Sequence, residues 1–184
     1  TQLDIVRVQS LYFSKRMILH YNQYWRLFTS LLYFGPFSIS VIIFMTTFVS
    51  FLSSLEATVF AGQRIEFVMM LLFAAVASWL SEWFTKGVFF GQFLVGFILY
   101  YWGKHYSQNV IVMYGIPIPA AYAPFVTLAF SMFEGKIDEI KIEMAGMISS
   151  HIYFYIHDVL CARYGLSLLS PPRALRRLVG EVND

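Results

Sequence analysis

The chain has 184 residues, of which 58% are hydrophobic, 19% aromatic and only 13% charged, with a formal net charge of +2. A water-soluble domain carries roughly 25% charged residues, so this composition suits lipid as the solvent and gives no electrostatic footprint for nucleic acid. A single cysteine, Cys161, excludes an internal disulfide, and there is no Cys/His zinc spacing, phosphate-cradling glycine loop or N-glycosylation triplet.

The opening Thr1–Val6 reads as the continuation of something before it, which predicts a fragment lacking an N-terminal membrane helix. Over residues 1–35, Tyr12, Phe13, Met17, Tyr24, Trp25 and Phe28 alternate with Arg7, Lys15, Arg16, His20 and Arg26. That is too polar to span a bilayer, and it predicts a loop in the membrane interface with aromatic bodies in lipid and basic tips in water.

Five apolar segments are predicted to span over 36–160: Pro36–Leu55, Phe67–Trp83, Gly87–Trp102, Pro117–Phe133 and Met144–Leu160. Trp79, Trp83, Tyr100, Tyr101 and Trp102 sit near their ends, as interfacial aromatics do. Only 15 residues separate Glu66 from Glu82, about 22 Å of helix against a bilayer core of about 30 Å. A span that short must either thin the bilayer locally or be shielded by its neighbours. Lys and Arg fall almost evenly on the two sides of this arrangement, so charge bias sets no orientation. In the tail, 161–184, Ser170-Pro171-Pro172 predicts a helix start. Leu175, Leu178 and Val179 then oppose Arg173, Arg176 and Arg177, a basic amphipathic helix suited to an anionic membrane surface.

Polar residues inside apolar segments are costly and therefore informative. His151, Tyr155 and Asp158 stand at i, i+4 and i+7, one helical face. His151 is either a proton-handling group or an imidazole bonded to a neighbouring helix. Gly146 and Ser150 form a small-xxx-small pair that lets another helix approach. Thr46, Thr47, Ser50, Ser53 and Ser54 place hydroxyls along the first segment, four of them on one stripe. The stripe either lines a hydrated groove for a polar polypeptide or bonds back to its own helix carbonyls. Trp25-Arg26 is either an ordinary interfacial pair or an anchor, the guanidinium tying loop carbonyls together.

The stretch Tyr24-Trp-Arg-Leu-Phe-Thr-Ser-Leu-Leu-Tyr-Phe-Gly-Pro-Phe-Ser38 resembles the Trp-Arg loop of the derlin family, within the rhomboid superfamily. Leu55-Glu56, Phe60-Ala-Gly62, Glu66-Phe67, Gly91-Gln92, Tyr100-Tyr-Trp102, Tyr114-Gly115, Ala121-Tyr-Ala-Pro124, His151-Ile-Tyr-Phe154, Asp158-Val159 and Leu169-Ser-Pro171 resemble later derlin blocks, in order. Two positions depart from that pattern: Ser150 replaces a usual Gly and Ser50 a usual Arg.

The resemblance implies an all-α fold, a polytopic rhomboid-like bundle of six helices whose first helix is largely missing from this chain. It also implies a role in endoplasmic-reticulum-associated degradation, moving misfolded proteins from the lumen or membrane to the cytosol. The implied partners are a membrane-bound ubiquitin ligase complex, an AAA ATPase, misfolded polypeptides, membrane lipid and further copies of itself or a related chain. No cofactor, metal or nucleic acid is implied. Where a rhomboid protease carries its nucleophilic Ser, this chain has Phe90; Phe cannot attack a carbonyl, so a non-catalytic pseudoprotease is expected. The alternatives are a derlin-like import component of a complex-plastid membrane, a scaffolding or lipid-organising relative, and an active intramembrane serine protease.

Overall fold

The computed structural model describes residues 8–36 and 39–164; the amphipathic tail helix predicted from Ser170 lies outside the described residues. The segment read as an interfacial loop is not one unbroken loop. It folds as a short 3-10 turn, Val8–Ser10, and two short helices, α1 (Lys15–Tyr21) and α2 (Trp25–Thr29). Asn22 ends α1 in the left-handed conformation, which Asn tolerates better than most residues.

Helix α3 (Ile39–Ser54) runs into a π turn, Leu55–Val59. Helix α4 (Arg64–Thr85) has 22 residues, about 33 Å at 1.5 Å per residue. It starts before Glu66 and ends beyond Glu82, which corrects the short second span. A carboxylate at each end need not stop a helix when each has a partner from another element. Lys15 pairs with Glu82, and His157 Nε2 lies 3.7 Å from Glu66. Among the described residues, α4 is the one helix long and apolar enough by itself to cross a bilayer.

Helix α5 (Gly91–His105) leads to a feature the periodicity reading missed. Strands β1 (Val110–Met113) and β2 (Ile116–Pro119) form an antiparallel hairpin with Met113 opposite Ile116. Tyr114 and Gly115 both take positive φ, 51° and 81°, as a two-residue turn matched to strand twist requires. The fourth apolar segment therefore begins as a strand at Pro117, and its α-helix, α6 (Ala123–Phe133), starts six residues later. Pro117 and Pro119 lack the N–H that a helix interior would use, whereas Pro124 sits in the first turn of α6, where that loss costs nothing.

Helix α7 (Ile137–Phe154) begins before the fifth apolar segment, continues through a second π turn, Tyr155–Val159, and ends in α8 (Leu160–Tyr164). The core lies where α5 packs along α7, with α4 and α6 also against α7. Phe93, Phe97, Ile98, Tyr101 and Tyr153 are buried there. Glu143 meets Gly96, while Asp158 meets Tyr101, so α5 and α7 run parallel. Glu66 near the start of α4 faces His157 near the end of α7, so α4 runs the other way.

Candidate functional site: the entrance segment and the α5–α7 seam

The entrance segment, residues 8–36, sits over the α4–α5 turn. Phe13 N–H donates to the Val88 carbonyl at 2.8 Å, and Phe90 N–H donates to the Ser30 carbonyl at 2.8 Å. The Phe13 and Phe90 rings meet edge to face at 5.4 Å. Phe90 is thus a fully buried packing residue.

Arg26 is only 6% exposed. Its Nε donates to Gln23 Oε1 at 2.7 Å and its Nη1 to the Tyr12 carbonyl at 3.0 Å. Its guanidinium carbon stands 4.7 Å from the centre of the Tyr12 ring. Burying a cation requires several partners of this kind, and Arg supplies five donors in a rigid fork. Trp25, its sequence neighbour, is 53% exposed. The two residues therefore act in different directions, Arg26 into the segment and Trp25 away from it.

The hydroxyls of α3 divide along the helix. Thr46 donates to the Ile42 carbonyl and Ser50 to the Thr46 carbonyl, each at 2.9 Å. Their own helix therefore satisfies these groups, although both residues are exposed, as are Thr47 and Ser53. Ser54 turns inward, accepting from Trp102 Nε1 at 3.2 Å and donating to the Tyr106 hydroxyl at 3.3 Å. Phe51 packs on Trp102 in the same contact, with ring centres 4.7 Å apart. Ser54 belongs to an α3–α5 junction, and the rest of the stripe faces outward.

His151 is exposed, and its Nδ1 lies 2.8 Å from the Tyr100 hydroxyl on α5. Tyr155 also faces outward, but Asp158 does not share that environment. Tyr101 donates to Asp158 Oδ2 at 3.0 Å, and His105 Nε2 lies 3.7 Å from Oδ1. The face predicted for His151, Tyr155 and Asp158 is split. The reason is the π turn at Tyr155–Val159, whose wider winding delays Asp158 relative to an α-helical phase.

Gly146 lies against the Phe93 carbonyl of α5, and a Cβ built there would fall inside van der Waals distance of that oxygen. Gly96 meets the Glu143 carbonyl in the same way from the other side. Ser150, one turn below Gly146, is fully buried.

Two polar groupings escaped the sequence reading. Glu143 is 1% exposed; Thr127 and Ser131 of α6 donate to its two oxygens at 2.5 and 3.1 Å. Glu66, His157, Asp158, His105 and Tyr101 gather at the opposite end of the bundle. The signal for the first was an acidic residue immediately before an apolar run, with hydroxyls spaced i, i+4 on the preceding segment. Among the described residues no group of three or more His, Cys, Asp or Glu side chains has metal-binding geometry.

Comparison with known proteins follows this architecture. The family model described as DER1, Der1-like family, matches residues 1–173. Derlin-2.2 of Zea mays is 28% identical over 193 residues, covering 98% of this chain and 77% of the relative. Derlin-2.2 of Arabidopsis thaliana is 28% identical over 97% of this chain and 78% of its own length. Derlin-1 of Arabidopsis thaliana is 27% identical, with 98% and 68% covered. The family match takes in the entrance segment, the α5–α7 seam and every helix between them, and the chain belongs to the Der1-like family.

Proposed function

We propose that this protein is a non-catalytic, multi-pass component of the endoplasmic reticulum membrane that helps move misfolded polypeptides toward the cytosol for degradation. The observation that carries the reading is the Der1-like match over residues 1–173. In it, α3 to α7 cross the bilayer as part of a rhomboid-like six-helix bundle, supported by α4 running opposite to α5 and α7. Helix α4 spans without thinning, whereas α5, with 15 residues, covers about 22 Å and thins the bilayer on its side. The outward hydroxyls Thr46, Thr47, Ser50 and Ser53 lower the cost of a polar chain beside α3. A ubiquitin ligase complex and an AAA ATPase complete the route, and further copies or relatives assemble with the chain. Catalysis is absent from this reading because Phe90 offers no nucleophile and His151 bonds to Tyr100.

The test is a pulse-chase of a misfolded luminal protein in cells lacking the endogenous derlin. Restored decay by the intact protein is the expected result. Replacing Thr46, Thr47, Ser50 and Ser53 by Val should slow it several-fold at matched expression. Failure of the intact, correctly localised protein to restore decay would overturn the degradation role and favour plastid import or scaffolding. Labelling by a fluorophosphonate probe would overturn the non-catalytic part.

A further inference from the structure

A cavity of about 680 Å³ opens at the entrance end, between the exit of α2, the α4–α5 turn and the first turn of α7. Its size is that of an ordinary small-molecule site. Aromatic side chains form part of the wall, with the Tyr33 and Phe89 rings 4.1 Å apart and Phe34 beside them. The charged lining is of both signs. Lys141 Nζ holds Asp138 at 2.9 Å. Lys136 stands 2.8 Å from Glu134 but 3.7 Å from Glu139, so Glu139 is the less neutralised of its two carboxylates.

Two polar side chains on the α4–α5 side have no partner among the described residues. No carboxylate lies within 4.0 Å of Lys86, and the Gln92 carboxamide makes no hydrogen bond. The first-turn N–H groups of α5, beside Gln92, also have no intrahelical acceptor. A cation and amide donors thus stand on the α4–α5 wall, where Tyr33 and Phe34 pack against Phe89 and Gly91, and a part-neutralised carboxylate stands on the α7 wall.

We propose that this cavity binds the headgroup of a zwitterionic glycerophospholipid. Its phosphate lies against Lys86, Gln92 and the start of α5, and its ammonium lies against Glu139 of α7. Charge complementarity selects this occupant: a phosphate alone leaves Glu139 facing an anion, and an anionic lipid does the same. Depth agrees, because the mouth adjoins the end of α4, where Phe84 is 89% and Trp83 73% exposed, the position of headgroup-level aromatics. The inference rests on the membrane-spanning reading above.

The test uses the full chain in nanodiscs containing a photoactivatable phosphatidylcholine, with peptides mapped after illumination. Labelling is expected in residues 84–92, competed by phosphatidylcholine but not by phosphatidylglycerol or inorganic phosphate. A Lys86→Asn/Gln92→Ala variant should lose at least fivefold of the labelling at unchanged melting temperature; Asn is chosen because Lys86 has φ 52°, a conformation Asn accepts. Glu139→Lys should move the preference toward phosphatidylglycerol. Undiminished labelling in the double variant, equal competition by phosphatidylglycerol, or competition by phosphate alone would each overturn the proposal. Alkaline carbonate extraction separates the two readings: a chain released from membranes refutes the spanning reading, and an integral but unlabelled chain refutes only the headgroup site.

Discussion

His151 Nδ1 lies 2.8 Å from the hydroxyl of Tyr100, so the imidazole of α7 is engaged by the neighbouring helix α5. Hydrogen bonds between membrane helices contribute about 0.6 kcal/mol on average and up to about 1.7 kcal/mol. Tyr100→Phe and His151→Phe should each lower stability by about 1 kcal/mol. The double variant should be no worse than the sum less the shared bond. Thermal unfolding of all four proteins in one detergent gives the cycle; strict additivity would dissociate the two residues.

At Gly146 two effects oppose each other. Alanine gains about 1 kcal/mol in helix propensity over glycine, but its Cβ meets the Phe93 backbone carbonyl, which cannot rotate away. Overpacking costs about 1–3 kcal/mol, so Gly146→Ala should be net destabilising and Gly146→Leu more so. Ile148, exposed on the same helix, should accept Ala with a change below about 0.5 kcal/mol. Melting temperatures of the three variants decide it.

Glu143 receives two hydroxyls and is almost fully buried. Glu143→Ala removes both acceptors and leaves Ser131 without its carboxylate partner, at a cost of about 2–3 kcal/mol. Glu143→Gln retains the shape and one carbonyl acceptor, and rotating hydroxyls can accept from its NH₂, so the loss should be less than half as large. Equal losses in denaturant or thermal unfolding would refute the hydroxyl clamp.

Trp25 and Arg26 should separate on mutation. Arg26→Ala removes the bonds to Gln23 and the Tyr12 carbonyl and should expose residues 8–36 to protease at least tenfold faster. Arg26→Lys should rescue little, because an ammonium cannot reproduce the planar fork. Trp25→Ala should leave the cleavage rate within twofold. Limited proteolysis in nanodiscs reads all three, and fast cleavage of Trp25→Ala would show that the segment depends on both residues.

Apolar composition, the ordered motifs and the small residues at Gly146 and Ser150 were available from the sequence alone. Together they determined a largely helical chain, the family and which side of α7 can be approached closely. Composition acts locally and additively, so it survives without coordinates. Other properties depended on what each segment meets. The carboxylates that read as helix limits lie inside α4, where Lys15 pairs with Glu82 and His157 lies beside Glu66. A turn with positive φ at Tyr114 and Gly115 made a hairpin from a run that looked like the start of a helix. The π turn moved Asp158 away from His151 toward Tyr101 and His105. Glu143 became a core residue only because Thr127 and Ser131 arrive from α6. The contacts of Glu82, Glu66, Asp158 and Glu143 are non-local: each depends on a partner distant in sequence, and hydrogen-bond and ion-pair energies appear only once packing has brought that partner within about 3–4 Å.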